Sequence, residues 1–264
     1  MLLTAVGHRL QRAITPQRLP ESASPLTHLL WFCDGLMLFF LVSWGCTQYV
    51  QIDNDLYYAV FIWTGLTFLY YYRRATNSHV LLWIAQRWRL SLVIGALTAV
   101  YMAVNVWNSN PTERPGGLLL SFELVWRGLA YGVVSSLILT GFPFAVAIGI
   151  LARHDAVGQA RRVALSSLTV VLVWVMSTSY HQGFSQYDGN RVAPQLQTAA
   201  LSVPVIVTAN PVGSVLAHTT LHVTATLRTF ESDVFVPPSV NFDPAYEPPG
   251  VFRPEPDANG SRPR

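Results

Sequence analysis

The apolar residues of this chain are gathered into long blocks, with polar positions confined to the short stretches between them. Several blocks exceed the roughly 18 residues that mark a spanning helix. The first runs over Leu26–Val50 and ends at a polar hinge, Gln51–Asp55, that carries two acids and no Arg. The second, Leu56–Tyr72, stops at Arg73–Arg74. Between Ala75 and Leu90 the run HVLLWIAQRWRL mixes Trp and Arg with apolar residues, the makeup of an interfacial helix. A third span is predicted over Ser91–Trp107, before a Pro- and Gly-containing turn at Asn108–Gly117.

Leu118–Ala152 is longer than one straight crossing needs at about 1.5 Å per residue. Gly141-Phe-Pro143 is expected to kink it, because proline lacks an N–H and its ring clashes with the preceding turn. Val163–Tyr180 is the next span, followed by a polar loop, His181–Gln195, and two shorter apolar pieces, Leu196–Ala209 and Val212–Leu227, parted by Asn210-Pro211. From Thr229 the chain is rich in Pro and acids with no apolar block, the composition of a disordered tail. The pattern therefore predicts an all-α, polytopic transmembrane bundle of about seven spans, six to eight. It divides into a cytoplasmic N-terminal segment (1–25), a membrane domain (26–228) and a tail (229–264).

Composition sharpens this picture. Only 12% of the residues are charged, against about a quarter in soluble domains. All 17 basic residues are Arg, which removes any lysine nucleophile or Schiff base. The net charge of +3, without a dense basic run, argues against nucleic-acid binding. The arginines favour 1–25, 73–89 and 153–162, placing these segments on the cytoplasmic side if Leu118–Ala152 crosses once. Cys33 and Cys46, about 20 Å apart along a helix, read as apolar packing residues and not as a redox pair. No internal repeat supports an inverted-repeat transporter.

Ionisable side chains within apolar blocks are costly and mark candidate sites. Glu123 and Arg127 in SFELVWRG are spaced i,i+4 and face each other on a helix, as a structural pair or as a carboxylate kept ionised for chemistry. His181 closes a span. His218 and His222 again share one face, at a spacing suited to metal ligation, to acid–base work or to hydrogen bonds between helices. Asp34 sits inside the first span without a sequence partner and receives no role beyond a polar packing contact. No nucleophile elbow or ordered Ser-His-Asp set is present.

FELVWRG resembles the first motif, EExxxR followed by Gly, of the CAAX-processing and bacteriocin-processing (CPBP, or abortive-infection) membrane proteases. TSYHQGF resembles the second motif, a His near a helix end. NPVGSVLAHTTLHV resembles the third, a His followed four residues later by Asn or Asp. The order holds over residues 121–227. Phe122 stands at the position of the motif's first Glu, Ser177 at that of the second-motif Phe, and His222 at that of the Asn or Asp.

The resemblance implies a metal-free intramembrane endopeptidase of a bacterial inner membrane, acting on a membrane-associated protein or peptide without a cofactor. In it Glu123 would activate water, with Arg127 beside it and His181 assisting, while His218 and His222 hold the oxyanion. Two other readings compete: a catalytically inactive relative that binds or escorts membrane partners, and a metal site built from Glu123, His181, His218 and His222, whose imidazoles and carboxylate are adequate ligands for zinc or iron.

Overall fold

The computed structural model describes residues 23–78, 84–85, 87–151, 159–185 and 192–231. Among these the chain is helical, without a strand, and forms seven rods: α1 (Pro25–Tyr49), α2 (Asn54–Thr76), α3 (Trp88–Trp107), α4 (Gly117–Leu151), α5 (Gln159–Gln182), α6 (Val192–Thr208) and α7 (Val212–Arg228). Four of them, α1, α3, α4 and α5, are long and apolar enough to cross a membrane. The shorter α6 and α7 and the tyrosine-rich α2 fall outside that set. Expectations placed on 1–22, on most of the Trp- and Arg-bearing stretch before α3, and on 232–264 lie outside the described residues.

Local chemistry sets the rod ends. Ser24 caps α1 by accepting from the Thr27 N–H at 3.1 Å, with Pro25 opening the first turn. Asp53 caps α2 by accepting from the Leu56 N–H at 3.0 Å, so the predicted polar hinge is partly the start of a helix. Likewise α6 begins at Val192, inside the stretch expected as a loop. Asn77 ends α2 in the left-handed region (φ 48°), a conformation that asparagine tolerates.

The long fourth block is one continuous rod of 35 residues. Proline does not break it, because the backbone widens into a π-helical turn over Leu137–Gly141, directly before Phe142-Pro143. The extra residue in that turn relieves the clash the ring would cause in an ordinary α-helix. A second widened stretch, Leu124–Tyr131, holds Arg127 and Tyr131. Every residue from Phe142 to Gly149 is buried, which makes α4 the hub of the bundle, whereas α1 and α3 turn Leu, Met and Val side chains outward.

Close helix contacts rest on glycine. Gly95 of α3 lies against the backbone of Gly213 in α7, and a Cβ on Gly95 would collide with it. The Ser91 hydroxyl fastens the same crossing, accepting from the Gly213 N–H at 2.9 Å and donating to the Asn210 carbonyl at 3.0 Å. Such approaches favour association where helices gain little from burying apolar surface. At the far end of this pair the Arg228 guanidinium lies over the Trp107 ring.

The rods alternate in direction, so the two ends of the bundle differ in charge. One end gathers Arg73, Arg74, Arg87, Arg89, Arg161 and Arg162, and is tied together by the Ala23 N–H on the Thr76 carbonyl and the Asn210 amide on the Ile84 carbonyl. At the opposite end Arg127 pairs with Asp55 and Glu123, Arg114 donates to the Leu227 carbonyl, and Arg228 lies over Trp107. Asp34 and Cys33 both sit exposed on the outer face of α1, so neither makes the packing contact expected of it.

Candidate functional site

Glu123 and Arg127 do pair, as their spacing requires: Arg127 Nε is 2.6 Å from Glu123 Oε2. Arg127 Nε also donates to Asp55 Oδ1 at 3.2 Å, which adds a partner from the start of α2 that the sequence did not reveal. Glu123 is 3% exposed. The guanidinium is covered by aromatic faces, Tyr58 on one helix and Phe230 just past α7, the latter 4.2 Å from ring centroid to Cζ. The segment carrying Phe230 is held by the Thr112 N–H on the Arg228 carbonyl and the Glu231 N–H on the Thr112 hydroxyl. Thr229–Glu231, expected in a disordered tail, is therefore fastened to the bundle.

Phe122 lies on the outside of α4, 53% exposed and stacked on Trp126. One residue along a helix turns the side chain by about 100°, so a residue at 122 points away from the face that Glu123 uses.

The histidines form a second centre. His218 Nε2 and His222 Nε2 are 3.1 Å apart, with rings stacked at 19° and 5.0 Å between centroids. Both are buried. His222 Nδ1 is buried without a hydrogen-bond partner among the described residues. A buried N–H without an acceptor is rarer than an unused lone pair, so the neutral pair is best written with His222 Nε2–H donating to His218 Nε2 and a lone pair on His222 Nδ1. The edge of Tyr131 packs on the His222 ring at 5.0 Å and 80°. Gly132 makes room: a Cβ there would lie 3.2 Å from His222 Cβ.

His181 lies near the end of α5. Its Nδ1–H donates to the Ser177 carbonyl at 2.7 Å, which fixes the ring one turn back along its own helix. Ser177 Oγ lies 2.6 Å from Thr198 Oγ1 in α6, and Thr198 in turn donates to the Pro194 carbonyl at 2.8 Å. Ser177, at the place of the motif's Phe, thus links α5 to α6.

The structure pairs His218 with His222 on α7, and Arg127 engages the carboxylate of Glu123 on α4. Helices α4 and α7 run antiparallel: Gly128 meets Val223, while Gly132 meets Thr219 and His222. Gly132 lies nine positions beyond Glu123, across the widened stretch Leu124–Tyr131. Among the described residues no three His, Cys, Asp or Glu side chains gather as a metal-holding group, so the set Glu123, His181, His218 and His222 is not assembled as ligands.

Sequence reasoning missed the tyrosines. Tyr57, Tyr131 and Tyr180 are buried, with Tyr57 and Tyr180 hydroxyls 3.2 Å apart and Tyr180 also bonded to Tyr131. It also missed His28, whose Nδ1 is 2.8 Å from the Tyr72 hydroxyl, with the ring seated against Gly149. A signal existed: a phenol inside an apolar block needs a hydrogen-bond partner as surely as a carboxylate does. Tyr131 also lies on the Glu123–Arg127 face at a further four-residue step. Comparison with known protein families, with curated proteins and with solved structures returns no match.

Proposed function

We propose that this chain is an intramembrane hydrolase that cleaves a peptide bond of a membrane-associated protein or peptide, with His218, His222 and His181 as its acid–base centre. The observation that supports it is the close contact of two buried imidazoles, His218 and His222, on the third motif of the CPBP resemblance. A base must come within hydrogen-bond reach of the water it activates. Glu123 is held by Arg127, and His222 packs against Gly132, nine positions farther along α4. The base role therefore moves from Glu123 to an imidazole, and Glu123–Arg127–Asp55 becomes a clamp between α2 and α4.

In this mechanism the lone pair on His222 Nδ1 takes a proton from water as its oxygen attacks the peptide carbonyl carbon. A neighbouring imidazole N–H donates to the oxyanion. When the C–N bond breaks, the proton held by His222 passes to the leaving amine. No cofactor enters these steps. In the setting proposed, a bacterial inner membrane, all seven rods cross and the Arg-rich end lies in the cytoplasm.

The test is cleavage of membrane proteins, read as new N-termini after incubating bacterial membranes with the purified chain in lipid. Cleavage sites made by the native chain are expected to vanish with His222→Ala and His218→Ala and to persist with Glu123→Gln. Their loss in a folded Glu123→Gln variant would return the base role to the carboxylate. Persistence in His222→Ala would end the hydrolase reading.

A second reading, a non-catalytic protein that binds membrane partners, is favoured by the commitment of Glu123 to Arg127, which also holds Asp55. It is distinguished by a phenotype that survives both histidine substitutions.

A further inference from the structure

Asp34 is used neither by the histidine pair nor by the Arg127 clamp. It lies three residues short of Met37, the middle residue of the 25-residue rod α1, and so about 4.5 Å from the midpoint along the axis. It is exposed on the outside of the bundle, in one face with Leu30, Met37 and Leu41, which are 57%, 61% and 47% exposed. The opposite face of the same rod buries Phe32, Gly35 and Phe39. Asp34 makes no hydrogen bond or ion pair with any described residue. With α1 across a bilayer, this carboxylate faces hydrocarbon, where a charge is costly and calls for a partner. Long Lys and Arg side chains escape such a depth by reaching to the interface; aspartate, with a single methylene, does not.

We infer that the outer face of α1 is a docking surface for a transmembrane helix of another protein, one that carries an arginine or lysine level with Asp34. Charge selects this occupant. Pairing takes two charges out of lipid contact at once, so it is favoured over leaving each helix alone in the membrane. A second copy of this chain offers no such cation among the described residues. Their arginines stand at the two ends of the bundle, and none of their histidines is exposed. Two copies meeting through α1 about a two-fold axis would instead set one Asp34 near the other. Leu30, Met37 and Leu41 supply the rest of the contact, because they recur at the three- and four-residue steps along which one helix packs on another. The inference rests on α1 crossing the bilayer and is independent of the hydrolase reading.

The experiment uses the full chain in phosphatidylcholine vesicles, with Cys33 and Cys46 replaced by Ala and a donor dye on Asn110→Cys. The probe is a synthetic bilayer-spanning helix of Leu and Ala with an acceptor dye and one Arg at its middle; matched peptides have Leu or Asp there. Energy transfer, titrated against peptide density, is expected to show the Arg peptide bound at least ten-fold more tightly than the Leu peptide. Asp34→Leu is expected to abolish that preference, Asp34→Glu to keep it, and Asp34→Arg to turn it towards the Asp peptide. A substitution that merely disturbed folding would not produce the reversal. Arg and Leu peptides bound within two-fold of each other by the native chain would overturn the proposal, as would a preference that survives Asp34→Leu. A preference gained only after Arg9→Gln, Arg12→Gln and Arg18→Gln would overturn it too, by showing that the N-terminal segment already serves Asp34. Energy transfer between donor- and acceptor-labelled copies, lost with Asp34→Leu, would assign the face to a second copy and overturn it equally. Release of the chain from the vesicles by alkaline carbonate would overturn the membrane reading itself, and the proposal with it.

Discussion

Arg127 is the residue whose environment differs most from what its sequence neighbours imply. A guanidinium serving Glu123 alone would be a local i,i+4 pair; here it also holds Asp55 from another rod and lies under Phe230. Removing one partner from a buried ion pair leaves the other charged group uncompensated, at a cost of about 3–5 kcal/mol. Arg127→Ala is therefore expected to lower thermal stability in detergent by an amount of that order. Asp55→Asn, at the more exposed end of the network, should cost roughly 1 kcal/mol or less. Equal losses from the two would contradict the clamp. At His222 the expectation is reversed: an Ala substitution removes a ring with an unsatisfied nitrogen and should act on chemistry more than on stability.

At the scale of elements, glycine-mediated contacts decide which helices meet. Gly149 of α4 leaves the space that the His28 ring of α1 occupies. Gly149→Ala is expected to destabilise the bundle, and His28→Ala in the same chain to recover part of the loss, because the clash needs both side chains. The measurement is a double-mutant cycle on melting temperature; strict additivity would show that the two sites do not touch. Gly95→Leu would force α3 from Gly213 and is expected to prevent a folded bundle, as read by size-exclusion behaviour in detergent. The rods themselves were largely legible in the sequence, including α4 as one continuous element, since runs of apolar residues and Pro positions report on local backbone. The π-helical turn that accommodates Pro143 was not, because the widening answers to the surroundings of the helix as well as to the residue.

For the whole molecule, the alternation of seven rods and the gathering of Arg73, Arg74, Arg87, Arg89, Arg161 and Arg162 at one end predict a defined orientation. With Cys33 and Cys46 replaced by Ala, a membrane-impermeant maleimide added to intact bacterial cells should label Asn110→Cys and leave Asn77→Cys unlabelled until the membrane is opened. The opposite pattern would invert the bundle.

The sequence by itself determined the helical class, the apolar blocks and the helical faces that Glu123 and Arg127, and His218 and His222, share. All of these follow from period and composition within one segment. Only the tertiary structure decided that Asp55 joins Arg127 and that His222 packs against Gly132, nine positions beyond Glu123 on α4. The register of one rod against another fixes those distances, and register depends on where glycines let helices approach and where buried hydroxyls meet across them. A single strand of sequence carries both kinds of residue but not the pairing between them.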